Sequence, residues 1–177
     1  MTRDQLEHII RAASVIADDD EIVVIGSQAI LGSYPDAPAS LRMSVEADVY
    51  PRNHPERAEL IDGSIGELSP FHDTYGYYAQ GVGPDTAVLP AGWQARLVLV
   101  HSPNTRGARG LCLEPNDLTL SKLVPFREKD EHFSREAIAH HMLDKSVLLQ
   151  RLQTVPVTVE VREQVAARIE RLFAVPR

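Results

Sequence analysis

The sequence predicts an α+β fold: a small mixed β-sheet flanked by helices, followed by a helical C-terminal part. Three observations predict it. Residues 21–26 (EIVVIG) form a short apolar run rich in branched side chains, the pattern of a buried strand. Residues 44–50 alternate Val45, Ala47 and Val49 against Ser44, Glu46, Asp48 and Tyr50, the pattern of a half-buried strand. From residue 115 the apolar spacing turns helical and stays so to the C-terminus.

Each element follows in order. Leu6, Ile9, Ile10, Ala13 and Ile16 place a helix over 4–17. Asp18, Asp19 and Asp20 end it, as a solvated turn. The strand over 21–26 runs into Gly26 and Ser27, and 28–32 reads as a short helix. Pro35 and Pro38 mark a loop over 33–40. The strand over 44–50 stops at Pro51. A short helix is expected over 54–61. Residues 69–92 are rich in Gly, Pro, Tyr and Asp, with strand pieces near 75–78 and 86–89. Further strands are expected over 94–100, with Trp93 at the start, and over 110–113. Asn116 or Asp117 would cap a helix running through Lys122. Pro125 would kink or end it. Helices over 127–143, 145–153 and 158–173 complete the chain. The expected organisation is a core over 1–114 with a helical part over 115–177 packed on it, one structural domain overall.

Composition narrows the function. The 177 residues carry 18 Lys and Arg against 25 Asp and Glu, a net charge of −7, which argues against a generic nucleic-acid coat. The single cysteine, Cys112, excludes an internal disulfide and a cysteine-based zinc site, and its apolar neighbours make it a core residue. No apolar run approaches the ~18 residues of a membrane span. No basic start precedes an apolar stretch, so no signal peptide is read and a cytoplasmic location is expected.

Three features carry chemistry. Gly26 and Ser27 sit where a strand meets a helix. Glycine lets backbone approach a ligand closely, and a helix N-terminus offers free N–H groups to an anion. The same residues also suit a plain tight turn. Glu46 and Asp48, two apart on a strand, share one face, with Cα atoms roughly 6.6 Å apart. Like charges so placed raise each other's pKa unless a cation lies between them. Oxygen donors of this kind suit Mg²⁺, although an acidic strand edge would look the same. Lys122, Arg127, Lys129 and Asp130 lie in KLVPFREKD, where Lys and Arg offer phosphate anchors or an exposed, internally paired face. Tyr75, Tyr77 and Tyr78 suit sheet packing better than base stacking. His140 and His141 adjoin on a helix and diverge by about 100°, which keeps them from sharing a metal.

Taken in order, the three features resemble the polymerase-β-like nucleotidyltransferase superfamily. Gly-Ser, an acid-x-acid strand, a downstream Lys and a later Asp make up that pattern. Within it the chain is most similar to the small bacterial nucleotidyltransferase-like proteins related to the AbiEii and MenT toxins, over roughly residues 21–135. The resemblance implies a nucleotidyltransferase-type sheet. It also implies that Gly26 and Ser27 hold nucleotide phosphates and that Glu46 and Asp48 hold Mg²⁺. Lys122 would contact phosphate, Asp130 would be the late acid of the catalytic set, and Arg127 and Lys129 would support nucleotide binding. Three features depart from the pattern. The first acid is Glu, the gap from Ser27 to Glu46 is long, and Pro125 interrupts the stretch from Lys122 to Asp130. A third strand carboxylate is not evident; Asp73, beside His72, and Asp85 are the candidates.

The expected activity is Mg²⁺-dependent transfer of a nucleoside monophosphate from a nucleoside triphosphate to an acceptor hydroxyl. The toxin resemblance extends the acceptor to a tRNA 3′ end or a protein, and the partners to an antitoxin. A catalytically inactive binding or regulatory module on the same fold is the alternative. A transferase acting on a small molecule, of the aminoglycoside-modifying kind, would need an acidic acceptor pocket.

Overall fold

A computed structural model describes residues 1–174. It is α+β, with one five-stranded mixed sheet, helices against it and a helical C-terminal part. The helices are α1 (Arg3–Ala17), α2 (Ile30–Ser33), α3 (Ala58–Ile65), α4 (Pro70–Tyr75), α5 (Pro115–Leu123), α6 (Glu128–Ala139), α7 (Lys145–Leu152) and α8 (Val159–Ala174). The strands are β1 (Glu21–Val24), β2 (Glu46–Pro51), β3 (Tyr78–Gly81), β4 (Val98–Val100) and β5 (Arg109–Cys112).

The sheet order is β3-β2-β1-β5-β4. β1 pairs antiparallel with β2 and parallel with β5. β3 joins β2 in parallel, with Glu46 beside Tyr78 and Asp48 beside Gln80. β4 closes the other edge, antiparallel to β5. Side chains two apart on a strand share a face. Ala47 and Val49 are therefore buried together, while Glu46 and Asp48 share the opposite, partly open face.

α1 begins with a capping box from Thr2 and Gln5 and buries Leu6, Ile9, Ile10 and Ala13 in the core. Burying such side chains stabilises the fold by roughly 1.5–3 kcal/mol for each large one. A second apolar cluster joins Leu120, Leu123, Leu148, Leu152, Val165 and Ile169. α5 belongs to both, since Leu118 packs in the sheet core and Leu120 in the helical cluster. It thus couples the helical part to the sheet.

Several local expectations are corrected. β2 starts at Glu46 rather than at residue 44, and Pro51, where it ends, is its last paired residue, opposite Ile22. Asp19 is buried, not solvated: its carboxylate accepts from the backbone N–H of Glu21 (3.0 Å), Asn53 (2.7 Å) and His54 (3.1 Å). The short helix expected over 54–61 lies later because Pro55 opens a 3₁₀ turn first. Residues 70–75 are helical, with Ser69 as N-cap and Gly76 in the left-handed C-terminal position. The strand near 75–78 falls instead at Tyr78–Gly81, and 86–89 is not a strand. Trp93–Arg96 is a 3₁₀ turn, which shortens the strand expected over 94–100 to Val98–Val100. α6 ends at Ala139, so His140 is its C-cap and His141, in the left-handed region, lies beyond it. Cys112 is fully buried, and burial pushes its thiol up to about 12.

The cap of α5 is Glu114, one residue before Pro115, rather than Asn116 or Asp117. Asp117 has another task. Its carboxylate is buried and accepts from Arg96 Nε of the sheet part at 2.7 Å and Arg151 Nη1 of α7 at 2.9 Å. Arg151 also reaches Glu114. This network fixes the register of α5 against both clusters. Arg151→Met is expected to lower stability by about 1.5–3 kcal/mol, the scale of hydrogen bonds to buried charge. Urea denaturation measures this, and a change inside about 0.5 kcal/mol would exclude the network as a structural anchor.

Candidate active site

The site forms where β1 ends, on the open face of β2. The chain leaves β1 through Ile25, whose N–H donates to the Asp48 carbonyl at 3.0 Å. Gly26 follows in extended backbone, then a 3₁₀ turn over Ser27–Ala29 leads into α2. A side chain at 26 has no room: a Cβ there would overlap the Asp48 carboxylate. Glycine is needed for this close approach, not for its dihedral angles.

The Glu46 and Asp48 carboxylates lie within hydrogen-bonding reach of each other. Burial, then the hydrogen bond and charge of Glu46, push Asp48 up to about 7. Lys122 and Lys129 oppose that rise. Glu46 also accepts from the Tyr78 hydroxyl at 3.2 Å. Burial and the Glu46 charge push that phenol up to about 12, so it stays a donor.

Lys122 reaches in from α5. Its Nζ donates to Ser27 Oγ at 2.9 Å, lies 3.7 Å from Asp130 Oδ1 and sits 4.9 Å from the Phe133 ring centre. Burial lowers its pKa, and the Asp130 and Asp48 charges resist this. Pro125 explains how two helices converge here. α5 ends at Leu123, the chain turns through Phe126 in the left-handed region, and α6 runs back with Asp130 in its first turn.

The eight predicted residues do not all serve one purpose. Gly26, Ser27, Glu46, Asp48 and Lys122 meet around the end of β1. Asp130 meets Lys122 but not the acid pair. It is fully buried, and its Oδ2 accepts from Arg127 N at 3.1 Å and Arg127 Nε at 2.8 Å. This geometry turns the Asp130 carboxylate to Lys122 and Arg127. Arg127 is exposed but spends its guanidinium on Asp130. Lys129 is exposed and lines a cleft with Ser27 and Gln28. Asp73 on α4 and Asp85 in a 3₁₀ turn are exposed, and neither lines the cleft at Glu46.

Sequence reasoning missed Tyr78 and Gln80. They stand beside Glu46 and Asp48 on the same face through the parallel β2–β3 register. No local pattern announces that pairing. The same three residues Glu46, Tyr78 and Gln80, with Asp62 and Glu67, line an acidic cleft of about 230 Å³. Tyr75 and Tyr77 instead pack with His8 and Phe71 in an aromatic cluster.

A family model described as a nucleotidyltransferase of unknown function (DUF6036) matches residues 4–171. The chain belongs to this nucleotidyltransferase family. No curated protein and no solved structure matches the chain. The matched residues span the whole site, from α1 to the last turns of α8, so the helical part is integral to the family unit. Among the described residues no helix is long and apolar enough to cross a membrane.

The donor set of this family member fits Mg²⁺. Among the described residues no three or more His, Cys, Asp or Glu converge as a protein cage. Mg²⁺ needs none, because it is usually held by one or two carboxylates with water and substrate phosphates completing the shell. Burial and the neighbouring Glu46 raise the Asp48 pKa, and a cation between the two carboxylates would offset both effects.

That pKa has a consequence for stability. Folded Asp48 binds its proton more tightly than the unfolded group, whose value is 3.8. The resulting stabilisation is complete below about pH 4 and is lost as pH rises through about 7. Asp48→Asn should remove this loss, so the variant should gain on the wild type with rising pH. Urea denaturation in EDTA near pH 5 and near pH 8.5 checks it. A stability difference that stays constant across this range would rule out a raised Asp48 pKa.

Proposed function

We propose that this protein is a Mg²⁺-dependent nucleotidyltransferase that moves a nucleoside monophosphate from a nucleoside triphosphate to an acceptor hydroxyl. One observation carries the reading: a largely shielded lysine joined to Ser27, beside two carboxylates that share the open face of β2, in a chain of a nucleotidyltransferase family. In the reaction the acceptor oxygen bonds to the α-phosphorus and the bond to the β-phosphate oxygen breaks. The electron pair leaves with pyrophosphate, and the hydroxyl proton passes to solvent in the open cleft. The neighbour of Asp48 on β3 is Gln80, which cannot take that proton.

Lys122 and Ser27 would grip the triphosphate, since an ammonium and a hydroxyl supply donors to phosphate oxygens. Lys129 would add charge at the mouth. Glu46 and Asp48 would hold Mg²⁺, which supplies charge neutralisation and a template for the triphosphate when bound. Tyr78 would keep Glu46 oriented through its hydroxyl. Most of the rate enhancement would come from positioning and electrostatics, as in other phosphoryl transfers.

The acceptor lies on the Glu46 side. That cleft also presents Asp62 and Glu67, and its charge opposes a polyanionic acceptor such as a tRNA 3′ end. It favours a hydroxyl on a protein or on a small cationic molecule. The resemblance to AbiEii- and MenT-related proteins supports a toxin role, with an antitoxin as partner; a protein acceptor agrees with both. The alternative, a binding module without catalysis, is favoured by the missing third carboxylate.

Two substitutions test the reading. Asp48→Ala should lower nucleotide transfer by ~10²–10³-fold or more while the fold persists. Lys122→Ala should weaken triphosphate binding by about tenfold or more. Transfer is read with labelled triphosphates in lysate, binding by titration in Mg²⁺, folding by circular dichroism. Undiminished transfer by the Asp48 variant would refute the metal assignment, and unchanged affinity in the Lys122 variant would refute its phosphate role.

A further inference from the structure

We propose that a second cleft, beside Ser27, receives the nucleoside half of the triphosphate, and that Gln28 reads a hydrogen-bond donor on it. The inference rests on the nucleotidyltransferase reading and adds the part of the substrate which that reading leaves open.

The cleft has a volume of about 220 Å³. That is below the ~300–1,000 Å³ of pockets for drug-sized ligands, a size that suits one base with its sugar. Ser27 and Lys129 line it, so it continues from the phosphate anchors without a break. Its walls come from two elements. Ser40, Leu41, Met43 and Ser44 belong to the long segment between Ser27 and Glu46, and His132 and Phe133 belong to α6. The length of that segment, a departure from the expected pattern, therefore builds one side of the cleft. Met43 is 73% exposed, an apolar side chain held at the rim with nothing over it. A planar base is the kind of group that apolar walls with a few polar atoms accept.

Gln28 supplies the polar group. It is fully buried and lines this cleft, yet its Oε1 has no hydrogen-bond partner among the described residues. Its Nε2 makes only a long contact of 3.5 Å with the Leu41 carbonyl. A buried carbonyl oxygen left unpaired is costly, and native proteins rarely leave one without a reason. With Nε2 turned to Leu41, Oε1 is an acceptor only, so its partner must be an N–H or O–H donor. An exocyclic amino group of a base and a ribose hydroxyl share that chemistry.

The experiment compares Mg²⁺-dependent binding of inorganic tripolyphosphate, the four ribonucleoside triphosphates and their 2′-deoxy forms. Wild type should bind at least one nucleoside triphosphate about tenfold more tightly than tripolyphosphate. Gln28→Met, close in shape but without the acceptor, should erase most of that preference and leave tripolyphosphate affinity unchanged. Because Gln28 is buried, Met43→Ala at the exposed rim gives an independent arm. It should weaken nucleotides about threefold and tripolyphosphate not at all. A preference for ATP, CTP or GTP over UTP assigns the donor to an exocyclic amino group; one confined to ribonucleotides assigns it to the ribose 2′-hydroxyl. Equal binding of tripolyphosphate and all nucleotides, or an intact preference in both variants, would overturn the cleft assignment alone. Absence of any triphosphate binding, tripolyphosphate included, would overturn the transferase reading and the cleft with it.

Discussion

The arrangement depends on one cation that is largely shielded from water. Lys122 lies where the turn after β1, α5 and α6 meet, and its ammonium has one contact from the turn and two from α6. Ser27 accepts its proton from the end of β1, Asp130 balances its charge from α6, and the Phe133 ring lies beneath it. Loss of hydration lowers the pKa of this lysine, and the Asp130 and Asp48 carboxylates oppose that shift. Asp130 in turn is buried, and Arg127 donates to its carboxylate from both backbone and side chain. The helical C-terminal part is thus more than packing. It delivers a cation to the one place where two strand carboxylates need an opposing charge.

Legibility in the sequence followed distance along the chain. The acid pair could be read because strand alternation is local, and a two-residue spacing places both side chains on one face. Gly26 and Ser27 could be read because an apolar strand running into glycine is also local, although the reason for glycine was not. That reason is Asp48, 22 positions away and brought close only by antiparallel pairing. Tyr78 and Gln80 were illegible because the parallel pairing of β2 with β3 passes through two helices. In the segment over 69–92 the low apolar content hid α4, yet Ser69, Pro70 and Gly76 were sound boundary signals. The cap of α5 was misplaced because Asn116 and Asp117 are good caps by type, while Pro115 fixes the first helical position and moves the cap to Glu114. Tertiary demand then claimed Asp117 for Arg96 and Arg151.

The departures from the expected motif share a physical logic. Glutamate at position 46 extends its carboxylate one methylene beyond the reach of aspartate, which brings it to the Tyr78 hydroxyl across the strand pair. Pro125 ends α5 so that α6 can fold back and set Asp130 against Lys122; a continuous helix would carry residue 130 about 12 Å further along the axis. The long segment before β2 supplies a wall that a tight connection would lack.

The net charge of −7 resolves into two sides of one site. On one side Ser27 and Lys129 line the cleft that holds Gln28, with Lys122 donating to Ser27 behind them. On the other, Glu46 opens onto a cleft with Asp62 and Glu67. An in-line displacement needs the attacking oxygen and the leaving pyrophosphate on opposite sides of the α-phosphorus. On the proposed reading, the cationic side holds the triphosphate and the acidic side admits the acceptor. The sign of each side then acts as a filter. A triphosphate is repelled from the acceptor cleft, and a cationic acceptor is repelled from the phosphate anchors. The excess of acid over base in the whole chain does not describe this selectivity; the separation of charge across β2 does.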